Sequence, residues 1–452
     1  MQQIQTAEQL QNGRYRTTWL IAWPVVVGMI SQTLVGVVDT AMVGRIGASA
    51  LAATGLGGVV SWMVMGGIGA LHIGVQAIVS RRYGEKNLLY AGRALDNALL
   101  IALVLGTIMT VVAQFALRTV FPLFTNDAAV VEMGREYVFY RLFALLPYLI
   151  IMAHRGFFDG IGRTEFSMRA MLTVNGFNVL FNYLFIFGNF GFPEMGAAGA
   201  GLASTIGTLI GMAAFISTGT LFKRRDEFKY YQRSNINREV MGRILRLSLP
   251  SGARILLAML GFTLFSTIVA RIGTAEMAAT NIIINIMSIS FLPGVGFGTA
   301  AATLMGQKLG EKNPDAAQTY GWTAAQLGMM VMGVVGLMFI AIPEQLLSLF
   351  TTDADVIRLG HIPLRLMGVI QTIDAMGIVF SGAFEGVGLN RYVMLTEISV
   401  NWFVFLPLAW IMAYPLGFGL VGAWVAMLVY IGMIALLYTR KFISGDWKDV
   451  EV

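Results

Sequence analysis

"RIGASALAATGL", residues 45–56, returns as "RIGTAEMAATNI" at residues 271–282, 226 positions later. Working outward, the same displacement recurs. "YGEKN" at 83 becomes "LGEKN" at 309, "PLFTNDAAV" at 122 becomes "SLFTTDADV" at 348, and "FDGIGR" at 158 becomes "FEGVGL" at 384. Asn175 matches Asn401 and Gly196 matches Gly422. One such match means little, but a constant offset of half the 452-residue chain over six anchors indicates a duplication.

Each copy is a membrane unit. The chain is 56% hydrophobic and only 12% charged, against about 25% charged in soluble domains. Apolar runs long enough to cross a bilayer fall near 16–40, 50–78, 94–116, 135–154, 167–190 and 196–220. The second half has them near 245–270, 276–304, 319–342, 358–382, 393–415 and 420–439. Six spans per copy make both copies enter from the same side. The expected fold is therefore an all-α membrane protein of twelve helices in two six-helix bundles, related by a pseudo-two-fold axis along the membrane normal. Residues 1–220 form the first lobe, 245–452 the second, and the basic stretch 221–244 a solvated cytoplasmic linker. Residues 1–16 are polar and show no small-residue cleavage site, so no cleavable signal is expected.

Charge orients the spans. Of 31 Lys and Arg, Arg141, Arg254 and Arg365 lie within spans, and Arg45, Arg118, Arg135, Arg271 and Arg358 fall on one side. The remaining 23 fall on the other side, which places both termini in the cytoplasm. The net charge of +6 thus reflects topology, and no nucleic-acid partner is expected. Cysteine is absent, which excludes disulfides and thiol catalysis. There is no phosphate-binding loop and no catalytic constellation. An enzyme is not expected, nor is a cofactor beyond a coupling ion.

Taken together, "VDTAMVGRIGASALAA", "YGEKN", "FDGIGRT" with "FEGVGLN", "NGFNVLFNYLFIFGNFGFPEMGAAGAGLAS" and "GQKLGEKN" resemble the multidrug and toxic compound extrusion (MATE) family, in its NorM-like branch. The resemblance covers essentially the whole chain. It implies two bundles in a V around a central cavity. It also implies a multi-pass protein of the bacterial inner membrane, monomeric, that exports organic cations or amphipathic drugs against protons or sodium. The alternative is a flippase for lipid-linked oligosaccharide from the same superfamily, although such proteins often have fourteen spans and basic cavities. A scaffold would not need the internal symmetry, and channels usually oligomerise around a pore, for which no filter-like stretch is seen.

Two acids interrupt apolar helices: Asp39, and Asp374 in "MGVIQTIDAMGIVF". A carboxylate at membrane depth costs several kcal/mol unless paired, hydrated or protonated. At offset 226, Asp39 matches Phe265 and Tyr148 matches Asp374, so the six-helix fold requires neither acid. That points to function: a group that exchanges a proton for a cation. Asn178 and Asn182 share one helix face at i, i+4, and the resemblance places them beside Asp39, with Ser204 at a hydroxyl position of the family's cation site. Sodium would be held by Asp39, Asn178 and Asn182. Two departures favour protons. Asn182 is neutral where some archaeal relatives carry an acid, and Gly261 stands where sodium-driven members carry one. Pro24 and its mate Pro250 are hinge candidates, and Arg254 is expected to snorkel.

Overall fold

Asn87 and Asn313 open corresponding helices in the two copies. Each side-chain oxygen accepts from a backbone N–H three residues on, Tyr90 N at 3.2 Å and Ala316 N at 3.0 Å. Asp127 and Asp353 repeat the device, each accepting at 2.9 Å from a backbone N–H two residues on. These caps satisfy first-turn donors that have no partner within the helix. The turns match as well: Lys86 and Lys312 have φ of 60° and 58°, and Gly162 and Gly388 have φ of 78° and 94°. The offset read from the letters is thus present in the backbone.

The computed structural model describes residues 2–123 and 125–450, without the side chains of 2–11, 118–120 and 123. Phe124 of the 122–130 anchor, the Arg118 side chain, and the outer lobe bounds Met1 and Val452 lie outside the described residues. The elements of the first copy are α1 (Gln2–Gly44), α2 (Ala48–Gly69), α3 (Leu71–Gly84), α4 (Leu88–Val120), α5 (Ala128–Leu142), α6 (Leu145–Gly160), α7 (Thr164–Phe187) and α8 (Gly196–Leu221). A short α9 (Arg225–Phe228) follows. The second copy has α10 (Arg238–Ala270), α11 (Thr274–Gly310), α12 (Pro314–Ala341), α13 (Pro343–Ser348), α14 (Ala354–Gly386), α15 (Asn390–Val400), α16 (Leu406–Ala413) and α17 (Gly419–Ser444). A π-helical turn, Asn401–Phe405, joins α15 to α16. Among the described residues, eleven helical stretches are long and apolar enough to span a membrane, and α5 with α6, bent by 44°, makes a twelfth if counted as one span. Every apolar run expected to span has its helix.

The chain divides into two compact units, Val27–Gly252, and Met1–Val26 with Ala253–Val452. These differ from the halves of the sequence at two matched places. The first part of α1 belongs with the second copy: Ile21 and Ala22 are buried with Phe297, Ala300 and Ala301, and the Trp19 ring lies 5.9 Å from Phe297. The first part of α10 belongs with the first copy. A Cβ on Gly74 would lie 2.7 Å from the Ile244 carbonyl oxygen, and one on Gly252 would lie 2.6 Å from that of Gly67. Only glycine permits backbones that close, which is the usual basis of tight helix packing in membranes. Both changes of unit fall two residues after a helix-interior proline, Pro24 or Pro250.

Residues 221–244 are mostly exposed, but their backbone is clamped to the first copy instead of hanging free. The Asp96 carboxylate on α4 accepts from Tyr231 N at 2.6 Å, Gln232 N at 3.1 Å and Asn235 Nδ2 at 2.7 Å. Asn97 beside it donates to the Asn235 carbonyl at 2.9 Å and accepts from Asn237 N at 2.8 Å. Phe228 and Tyr230 are fully buried, their rings packed on Phe157 at 5.3 Å. The physical reason is that the segment carries aromatic residues between its cations, and these bury on α6 while the charges stay outside.

Candidate ion and substrate site

The polar residues of α7 lie on its inner face. Asn175, Asn178 and Asn182 are all buried, because Gly199 and Gly207 on α8 leave no Cβ between the two helices: one there would lie 2.6 Å from the Phe185 carbonyl oxygen or 2.9 Å from that of Val174. Asn182 Nδ2 donates to Asp39 Oδ1 on α1. It also donates to Asn178 Oδ1 at 3.1 Å, and Asn178 Nδ2 in turn donates to Ser204 Oγ on α8 at 2.9 Å. Three helices thus meet in one chain: Asp39, Asn182, Asn178, Ser204. Asn182 is fully buried, and its Oδ1 has no partner among the described residues. Asp39 is half-buried, so its second carboxylate oxygen is free to take a proton or a cation. About two turns before Asp39 on α1, Ser31 Oγ accepts from Asn175 Nδ2 at 2.9 Å.

The sister copy has no such chain. At offset 226 the four positions are Phe265, Leu408, Val404 and Tyr430. Phe265 is fully buried, 5.1 Å from the Phe405 ring and 5.8 Å from Trp424. Leu408 packs in the same core. The same helices close in both copies, once on a polar chain and once on hydrocarbon.

Two groups escaped the reading of the sequence. Arg141 and Tyr137 on α5 share the electrostatic environment of Asp39. Their signal was an arginine inside a span, whose mate is the apolar Met367. Thr205 Oγ1 donates to the Tyr140 carbonyl at 2.7 Å and fastens α8 to this part of α5.

Asp374 lies in the other unit, midway along α14. It is half-buried and, among the described residues, forms no hydrogen bond or ion pair. Arg254, expected to snorkel, instead holds two acids: Glu397 on α15 at 2.9 Å and Glu385 on α14 at 3.2 Å. The two carboxylates balance its charge through the two terminal nitrogens, so it has no need to reach the interface. In the sister copy the mate of this pair is Gly28 against Met171, where a Cβ would lie 3.3 Å from the Met171 sulfur. Gly261 lies against Asn401, whose Oδ1 would block any Cβ there. Pro24 and Pro250 sit inside continuous helices. Among the described residues no cluster of three metal-ligating side chains occurs.

The structure is thus a duplicated bundle of membrane-length helices that carries an acid on an amide chain in one copy alone. The chain belongs to the MatE family, whose model matches it twice, over residues 24–184 and 250–411, again offset by 226 at the start. It is 28% identical to a protein of Thermotoga maritima described as a probable multidrug resistance protein NorM, over 96% of this chain and 93% of that one. A Mesorhizobium japonicum protein of the same description is 28% identical over 97% of this chain and 96% of its own. Among solved structures, a MOP superfamily transporter from Pyrococcus furiosus matches with a TM-score of 0.87 at 22% identity, covering 96% of this chain and 95% of its own. An outward-facing multidrug resistance MATE transporter matches with a TM-score of 0.88 at 22% identity, each chain 96% covered. These structures share the fold.

Proposed function

We propose that this protein is a secondary multidrug exporter of the bacterial inner membrane, with both termini cytoplasmic, that moves organic cations or amphipathic drugs outward in exchange for protons. The observation that carries the reading is the polar chain Asp39–Asn182–Asn178–Ser204 and its replacement by Phe265, Leu408, Val404 and Tyr430 in the sister copy. A carboxylate at membrane depth that the fold does not need is retained for chemistry. The NorM descriptions of the relatives support the substrate class.

Protons are favoured over sodium by the amide geometry. Asn182 presents N–H to Asp39, which satisfies a carboxylate rather than completing an oxygen shell for a hard cation. When Asp39 takes a proton it becomes a donor, its bond with Asn182 Nδ2 loses its charge assistance, and the unpartnered Asn182 Oδ1 becomes a better partner. The site then exists in two hydrogen-bonded arrangements whose populations the proton biases. Asp374 offers the other unit a second carboxylate for a cationic substrate. Bending at Pro24 and Pro250 would let the units change their relation.

The test is transport in proteoliposomes. A fluorescent organic cation is loaded and either a proton or a sodium gradient imposed. Outward movement driven by protons alone is expected. Movement with sodium alone would overturn the choice of ion, and movement with neither would remove antiport.

A further inference from the structure

A cavity of about 680 Å³ lies in the Val27–Gly252 unit, lined by residues other than those of the amide chain. It is an open hollow bounded by the end of α4, the second and third turns of α5 and the start of α8. Gln114, Phe115, Arg135, Glu136, Phe139 and Glu194 supply its polar and aromatic lining. Gln114, Phe115, Arg135, Glu136 and Glu194 stand near where apolar spans give way to loops, which is headgroup depth, and Phe139 lies one turn further in. Phe115 and Phe139 are exposed, at 76% and 44%, as are Ile108, Val111 and Val112 along the same side of α4, so the cavity opens towards acyl chains.

Its charges are unspent. Among the described residues Arg135, Glu136 and Glu194 make no hydrogen bond or ion pair with another side chain. Gln114 donates through Nε2 to the Phe139 carbonyl at 2.8 Å, while its Oε1 is buried without a partner. The cavity therefore offers three acceptors, two of them anionic, beside one guanidinium. The adjoining start of α8 has no side-chain cap, so its amides add a second attraction for an anion.

We propose that this cavity binds the headgroup of a zwitterionic aminophospholipid. The ammonium is taken by Glu136, Glu194 and Gln114 Oε1, the phosphate by Arg135 and the start of α8, and an acyl chain lies along Phe115 and Phe139. The distinguishing element is Gln114 Oε1, which needs an N–H donor. A primary ammonium supplies one and a trimethylammonium does not.

Delipidated protein is titrated with phosphatidylethanolamine, phosphatidylcholine and phosphatidylglycerol of identical acyl chains, and retained lipid is counted by native mass spectrometry. Wild type is expected to retain phosphatidylethanolamine about tenfold better than phosphatidylcholine, with phosphatidylglycerol weakest. Glu136→Gln with Glu194→Gln should abolish that preference. Glu194→Gln alone, at a loop position where folding is not at stake, should reduce it. Equal retention of the three lipids by wild type would overturn the proposal, as would an undiminished preference in a folded double variant. If the double variant instead loses tetraphenylphosphonium binding and keeps its lipid preference, the cavity takes a drug cation and the lipid assignment falls.

Discussion

Asp39 receives its hydrogen bond from a buried amide that is itself held by a second amide and a hydroxyl, so each member restrains the next. Asn182→Ala removes the donor and leaves the carboxylate unsupported. It should shift the pH at which substrate binding changes while keeping the protein folded, which equilibrium binding across pH and thermal unfolding would show together. Arg254 behaves differently, because its two acids need its charge. Arg254→Ala should destabilise the protein by about 3–5 kcal/mol, read as a fall in Tm in detergent. Adding Glu397→Met, the residue type of the Gly28–Met171 pair, should restore part of the loss. At this scale the sequence showed Asp39, Asp374 and the two asparagines, because a polar letter in an apolar run is visible by itself. The partners of Arg254 were not visible: Glu397 is 143 residues away, and only packing brings it within 2.9 Å.

Among the elements, the connection between the copies departs most from its composition. Its cations suggested a solvated strand, yet Asp96 and Asn97 hold its backbone and Phe228 and Tyr230 anchor it. The alternation of charged and aromatic letters was legible; the acceptors on α4 that make burial affordable were not, since they lie over 130 residues earlier. Asp96→Ala would leave two backbone N–H groups without their acceptor and take one of two from the Asn235 amide. Trypsin should then cut faster at Lys229 and Arg233, and unchanged cleavage would refute the clamp. Alkali gives a second reading. Tyr230 donates to the Gly219 carbonyl at 2.6 Å, and burial pushes its phenol from 10.0 up to about 12. A raised value stabilises the neutral, folded form. That contribution is whole below about pH 10 and is lost as pH rises towards about 12, so the Tm in detergent should fall across that interval.

For the whole molecule, the duplication was readable because 226 recurs at every anchor, and the helices, caps and left-handed turns repeat it. The bounds of the units were not readable. A helix that passes from one unit to the next keeps an unbroken apolar run, and only glycine contacts such as Gly74 against Ile244 reveal which side it joins. The distribution of arginine and lysine predicts cytoplasmic termini, so a reporter fused at Asn189, after α7, should read as periplasmic; a cytoplasmic signal there would reverse the proposed orientation. The central claim is that Asp39 takes the coupling proton, and it is tested most directly by measuring binding of an organic cation from about pH 5 to about pH 9 in wild type and Asp39→Asn. Wild type should bind in a pH-dependent manner and the folded variant should bind with that dependence removed; identical profiles for the two proteins would contradict the claim.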